Sequence, residues 1–181
     1  MDAIELLMHD HRMVEQLFRD YHAAASAAQR RAVVETLVRE LSKHAALEEL
    51  MVYPLAKKVL SDGDQRIREH LSEHRAVKET LLALDKQSGD DERTSELMDE
   101  LRREVEEHIR EEEGELMPLL RDAVSEEELL RLGRLLARSK QTAPTRPHPN
   151  APDEPPALAF AGPVAAAYDR LRDRLQGRPR T

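Results

Sequence analysis

The chain of 181 residues has no cysteine, which excludes disulfides, thiolate zinc sites and iron–sulfur clusters. It has only six glycines. No apolar run approaches the ~20 residues needed to cross a bilayer, so a membrane-spanning role is not expected. Basic excess is also missing: Lys and Arg number 28 against 36 Asp and Glu, a formal net charge of -8. A general nucleic-acid binder would carry a basic stripe instead, so no nucleic-acid partner is expected. The N-terminus Met1-Asp2-Ala3 opens directly on an amphipathic pattern without a signal peptide, and a cytoplasmic protein is the expectation. No nicotinamide, flavin or redox-partner motif is present.

Leu, Ala, Glu and Arg dominate, as in a mostly helical protein. Helical periodicity predicts four long helices. The first covers about 2–27, with Ile4, Leu7, Met8, His11, Val14, Leu17 and Phe18 on one side. The second covers about 29–60, with Val34, Leu37, Leu41, His44, Glu48, Met51 and Leu55 in line. The third follows the break Ser61-Asp62-Gly63-Asp64 and runs to about 87, aligning Ile67, His70, Leu71, His74, Val77 and Leu81. After a second break, Ser88-Gly89-Asp90-Asp91, the fourth runs to about 123 and aligns Leu97, Leu101, Val105, His108, Glu112, Leu116 and Leu119. Short connections predict an all-α, up-down-up-down four-helix bundle. A capping box from Ser125 to Glu128 predicts a shorter fifth helix to about Ser139. Residues 1–140 are therefore read as the bundle and 141–181 as an appendage. Thr142 to Pro163 is Pro-rich, an extended linker or wrapping arm. A last amphipathic helix over Val164–Gln176 would use Val164, Tyr168, Leu171 and Leu175.

What stands out is a repeat. His44, Glu48, Glu49 and Pro54 recur as His108, Glu112, Glu113 and Pro118. His11-Arg12 and His74-Arg75 precede the two copies. His11 and His74 lie 63 positions apart, and His44 and His108 lie 64 apart. Positions i and i+4 share a helical face, so His44 with Glu48, His108 with Glu112 and His70 with His74 each present two donors together. All seven lie within apolar stripes. Buried carboxylates and imidazoles left unpartnered are costly, and two neighbouring carboxylates repel. A pair of dications relieves both penalties. At ~1.5 Å per residue, His11 and His44 fall at nearly one height, with His74 and His108 close to it.

A single histidine on an apolar stripe is ordinarily a core residue satisfied by hydrogen bonding. That reading does not explain five histidines and two glutamates in matching copies. Glu49, Glu111 and Glu113 are read as solvated groups or outer partners of the ligands. His9 and His22 fall off the inner face, and His148 has no structural context. Tyr53, nine residues after His44, falls opposite it on a regular helix and is read as packing or hydrogen bonding, unless Pro54 turns it inward.

In these motifs residues 1 to about 123 resemble the hemerythrin-like, or HHE, cation-binding domain. The resemblance implies a four-helix bundle around two non-haem iron ions joined by an oxo or hydroxo bridge and by carboxylates. Carried over, His11, His44, His74 and His108 would be terminal ligands and Glu48 and Glu112 bridges. His70 with His74 matches the paired histidines on the third helix of the oxygen carriers. One departure is that those carriers place the last carboxylate five residues after its histidine, whereas Glu112 is four after His108. Imidazole and carboxylate also suit Zn, Mn or Cu, so iron follows from the resemblance.

Three functions compete on the sequence. One is a di-iron protein that binds oxygen or breaks down peroxide or nitric oxide, with catalase-like action in stress as its enzymatic form. The second is an oxygen or iron sensor, which would need an output domain where this chain has only a short appendage. The third is a simple cation-binding module.

Overall fold

The computed structural model describes residues 1–87, 90–153, 163, 165–170 and 172–173. Seven α-helices are placed among them: α1 (Ala3–Ala23), α2 (Ala27–Leu47), α3 (Tyr53–Val59), α4 (Gly63–Lys86), α5 (Glu92–Glu111), α6 (Met117–Ala123) and α7 (Glu126–Ser139). Their starts follow from local chemistry. The Asp2 carboxylate accepts the Glu5 N–H at 2.9 Å and Glu5 accepts the Asp2 N–H at 2.9 Å, a reciprocal cap for α1. Ser26 and Asp91 cap α2 and α5, and Ser125 with Glu128 forms the expected capping box of α7. Of the second predicted break, Ser88 and Gly89 lie outside the described residues.

The predicted second and fourth helices are each interrupted by a π turn, Glu48–Val52 and Glu112–Leu116. The Tyr53 N–H reaches back five residues to the Glu48 carbonyl, and the Met117 N–H does the same to Glu112. Proline follows both times. Pro54 and Pro118 have no N–H to donate, and in a regular helix each ring would meet the carbonyl four residues back. A turn widened by one residue accommodates them. It also resets the helical register. Nine residues at about 100° each would put Tyr53 opposite His44; with one residue absorbed by the bulge, the offset falls to roughly 80°.

α1 packs on α2, α2 on α4, α4 on α5 and α5 back on α1, which closes a ring of four rods. The interior divides into two apolar clusters. One gathers Ile4, Leu7, Val52, Ile67, Leu116 and Leu120, and the other Val14, Phe18, Leu37, Leu81, Leu101 and Val105. Along each rod the inward histidine and glutamate positions fall between the two clusters, so a polar layer separates them. Met8 and Leu119, aligned with inner stripes by periodicity, are exposed.

α7 crosses the start of α1. A Cβ on Gly133 would stand 2.8 Å from the Asp2 carbonyl carbon and 2.9 Å from the Ala3 nitrogen. Residues 143–146 of the Pro-rich segment then pack back on the bundle. Ala143, Thr145 and Arg146 are buried, and Arg146 Nη1 donates to Asp85 Oδ2 of α4 at 2.5 Å. Asp169 accepts the backbone N–H groups of Thr145 and Arg146, each at 3.1 Å, and also engages His148. Residues 165–170 are helical, but they bury Ala166 and Asp169 while the expected Tyr168 is exposed. Val164, Leu171 and Leu175 of that expected helix lie outside the described residues.

Candidate metal centre

The four rods bring four imidazoles together as two pairs. His11 Nε2 and His44 Nε2 lie 3.2 Å apart, and so do His74 Nε2 and His108 Nε2. A glutamate from each π turn spans both pairs. Glu48 places Oε1 3.2 Å from His44 Nε2 and Oε2 3.4 Å from His74 Nε2. Glu112 Oε2 lies 3.5 Å from His11 Nε2 and 3.6 Å from His108 Nε2. His11, His44, Glu48 and Glu112 form one candidate metal group, and Glu48, His74 and His108 another.

The opposite ring nitrogens face outward onto carboxylates. His11 Nδ1 meets Glu113 Oε1 at 2.8 Å, and His74 Nδ1 meets Glu49 Oε1 at 2.9 Å. His108 Nδ1 meets Glu73 Oε2 at 2.7 Å, and His44 Nδ1 faces Asp10 Oδ2 at 3.7 Å. The halves exchange partners in a regular way. The glutamate after each bridge serves the first histidine of the other half, and the acid before each first histidine serves the second histidine of its own half. At His11, His74 and His108, carboxylates so placed fix the tautomer and ring orientation of a ligating imidazole, whereas Asp10 and His44 face each other beyond hydrogen-bond distance. Glu49 and Glu113 were expected near these positions. Asp10 and Glu73 were missed, although each immediately precedes a motif histidine, a signal visible in the repeat.

Tyr53 takes the alternative left open for it: turned inward ahead of Pro54, it hydrogen-bonds at the centre instead of lying opposite His44. Its hydroxyl lies 2.9 Å from His74 Nε2 and donates to Glu112 Oε1 at 3.0 Å. Burial and the facing carboxylates Glu112 and Glu48 push its phenol well above the ordinary range. His70 stands beside it. Its ring stacks on Tyr53 with centroids 5.9 Å apart, and its Nδ1 faces Glu73 at 3.3 Å. It groups with Glu73 and His108 rather than with either bridged pair. His9 and His22 are exposed, as expected.

The electrostatics without metal are those of imidazolium trapped among carboxylates. Burial alone would lower His44, but Glu48, Asp10 and Glu112 raise it to about 10. His74, opposed by burial in the same way, is raised to about 9 by Glu48 and Glu49. Burial pushes Glu48 up, and His44 and His74 outweigh it and hold the carboxyl well below its ordinary range.

This donor set fits metal ions. Glu48 Oε1, Glu48 Oε2 and Glu112 Oε2 are fully buried oxygens without a hydrogen-bond partner. Two donors on one first-row metal, with bonds of about 2.1 Å, stand roughly 3.0–3.4 Å apart, close to the separations within each group. Dications would neutralise the orphaned oxygens and replace the ring protons.

The hemerythrin HHE cation-binding domain model matches residues 2–120. The chain belongs to this hemerythrin family. An uncharacterized hemerythrin-like protein of Schizosaccharomyces pombe is 32% identical over 176 residues, which cover 97% of this chain and 87% of that one. In fold, this hemerythrin-family chain is similar to the crystal structure of an HHE cation-binding domain protein from Mycobacterium kansasii, a homolog of Rv2633c. The TM-score is 0.67 at 24% identity, over 78% of this chain and 86% of that one. No helix among the described residues is long and apolar enough to cross a membrane.

Proposed function

We propose that this hemerythrin-family chain is a cytoplasmic non-haem di-iron protein that handles dioxygen or peroxide. The observation that carries the reading is the pair of glutamates, each reaching both histidine pairs, with buried oxygens left over for metal. His11 and His44 would hold one ion, His74 and His108 the other, and Glu48 and Glu112 both. His70 and Tyr53 stand on the His74/His108 side, so the His11/His44 side has fewer protein donors and is where a small ligand would enter. Iron bound there would supply the redox equivalents to bind oxygen or to decompose peroxide, with an oxo or hydroxo bridge as the family resemblance implies.

The protein's own contribution is selection by size and polarity. An apolar cavity of about 20 Å³ lies against His11, His44, His74 and His108, lined by Val14, Leu41, Val77, Val105 and Ile109. A cavity of that size holds about one water-sized molecule. Dioxygen, nitric oxide and peroxide approach that limit, and larger substrates exceed it. Peroxide disproportionation also needs no separate electron donor, because peroxide serves as both donor and acceptor. Residues 1–140 would form the functional unit, with 141–181 as an arm on its surface. Native metal content with an optical spectrum, followed by oxygen and peroxide titration, tests the reading. Two irons per chain and catalytic loss of peroxide are expected. One tightly held zinc, in protein made with ample iron, would overturn it.

A further inference from the structure

Three of the four outward carboxylates are themselves held by a cation. Arg12 bonds Glu113, and Lys78 Nζ donates to Glu49 Oε2 at 2.7 Å. Lys140 Nζ donates to Asp10 Oδ1 at 2.6 Å. Arg12 and Lys78 lie within the residues that the family model matches, 2–120, whereas Lys140 follows α7 and lies beyond them. The fourth carboxylate, Glu73, has no such cation at its side among the described residues; it faces His70 Nδ1 at 3.3 Å instead.

We propose that Lys140 is a positioning residue of the metal centre, holding Asp10 so that its second oxygen orients His44. The inference rests on the metal reading for its purpose, but its geometry is independent of it. Asp10 is almost fully buried, and its Oδ2 has no hydrogen-bond partner. That oxygen faces His44 Nδ1 at 3.7 Å, and the same ring's Nε2 faces Glu48. The ammonium makes its short contact with Asp10, and Glu40 Oε2 lies farther from Lys140 Nζ at 3.9 Å. Lys140 reaches Asp10 because α7 crosses the first turn of α1 at Gly133 and carries its C-terminal end along that helix. Without the ammonium, no other side-chain hydrogen bond among the described residues would fix the rotation of the buried carboxylate that faces the imidazole. The fifth helix is then an extension of the centre, reaching His44 through two side chains.

The experiment compares Lys140→Met, Lys140→Arg, Asp10→Asn and the Asp10→Asn/Lys140→Met pair in the full chain. In metal-free protein, ring-nitrogen NMR reads the environment of His44 directly. A shift of the His44 Nδ1 signal in Lys140→Met is expected, with His74 and His108 unmoved and Lys140→Arg restoring the parent signal. In iron-loaded protein, release to a chelator should quicken about tenfold in Lys140→Met, the low end for loss of an outer partner of a ligand. In the Asp10→Asn background the same substitution should add less than about twofold, because the two residues act as one unit. An unmoved His44 signal, or a full Lys140→Met effect that persists without Asp10, would overturn the proposal. Failure of the metal reading itself would appear separately, as a parent protein that takes up no iron while the NMR comparison still answers.

Discussion

Tyr53 and Met117 occupy matching positions, each the first residue after a π turn and each followed by proline, yet they finish in different surroundings. Tyr53 brings its hydroxyl into the polar layer, between His74 and Glu112. Met117 buries its thioether in the apolar cluster with Leu116 and Leu120. The repeat therefore gives two similar histidine pairs and one added oxygen donor, on the His74/His108 side only. His70 deepens the asymmetry, since the matching position in the first half is Leu7.

The first prediction concerns this hydroxyl. In metal-free protein the phenol stays protonated, because burial and the facing carboxylates raise it, and it donates to Glu112. Tyr53→Phe leaves the ring in place and removes the donor. Leaving a buried carboxylate oxygen unsatisfied costs about 1–3 kcal/mol, and a fall of that size in unfolding free energy by urea denaturation is expected. Unchanged stability would mean that the hydroxyl is idle without metal.

A second prediction concerns pH. His44 and His74 have folded-state values of about 10 and about 9 against ordinary values of 6.5. A group raised by folding stabilises fully below its unfolded value, and that contribution is lost as pH climbs to the folded one. The metal-free protein should therefore lose stability between about pH 6.5 and 10, a window bounded by those shifts. Glu48 acts in the other direction: lowered by folding, it stabilises above its ordinary range and loses this as pH falls. Metal must displace ring protons, so iron uptake should release protons and strengthen with pH. Thermal unfolding across pH, with and without metal, checks both. A flat profile for the metal-free protein would refute the trapped-imidazolium picture.

The periodicity of the chain made the four long rods and the seven inward residues legible, and Ser125 with Glu128 marked the start of α7. His11, His44, His74 and His108 converge with Glu48 and Glu112 in one layer, with His70 beside them. The place of Tyr53 follows from one local event. Regular 100° spacing runs through neither Pro54 nor Pro118, because the missing N–H converts each preceding segment to a π turn. That turn carries Tyr53 from the far side of its helix to the centre. Asp10 and Glu73 were passed over for a different reason. Each precedes a histidine by one residue and so belongs to the neighbouring face, where it meets a histidine from another rod. The contacts of the arm, Arg146 with Asp85 and His148 with Asp169, link residues far apart in sequence and left no local pattern to read.

The crossing of α7 over α1 gives a third prediction. Glycine in a helix interior costs about 1 kcal/mol relative to alanine, so Gly133→Ala on an open helix would stabilise. Here the added carbon would meet backbone atoms of Asp2 and Ala3 at 2.8–2.9 Å, atoms that do not swing aside. Overpacking of this kind costs about 1–3 kcal/mol, and net destabilisation is expected in thermal unfolding. A more stable variant would show that α7 shifts outward freely.

The last prediction decides what His70 does. The other four imidazoles follow one rule: Nδ1 turned to a carboxylate, Nε2 turned to the centre. His70 obeys its first half, with Nδ1 3.3 Å from Glu73 Oε2, the same oxygen that accepts from His108 at 2.7 Å. Its ring lies within 5.5 Å of His108 and within 5.9 Å of Tyr53, centroid to centroid. That placement suits a third imidazole for the ion proposed at His74 and His108, where it would fill a position that would otherwise stay open to peroxide. His70→Ala should then hold one of its two irons at least about tenfold less tightly, alter the optical spectrum, and break down peroxide faster per iron retained. The fold should survive, because His70 is flanked by the intact apolar contacts of Ile67 and Val77 on α4. Iron content, spectrum and peroxide turnover are compared with the parent. Unchanged iron and an unchanged spectrum would make His70 an outer partner of Glu73, and the five-histidine reading would fall.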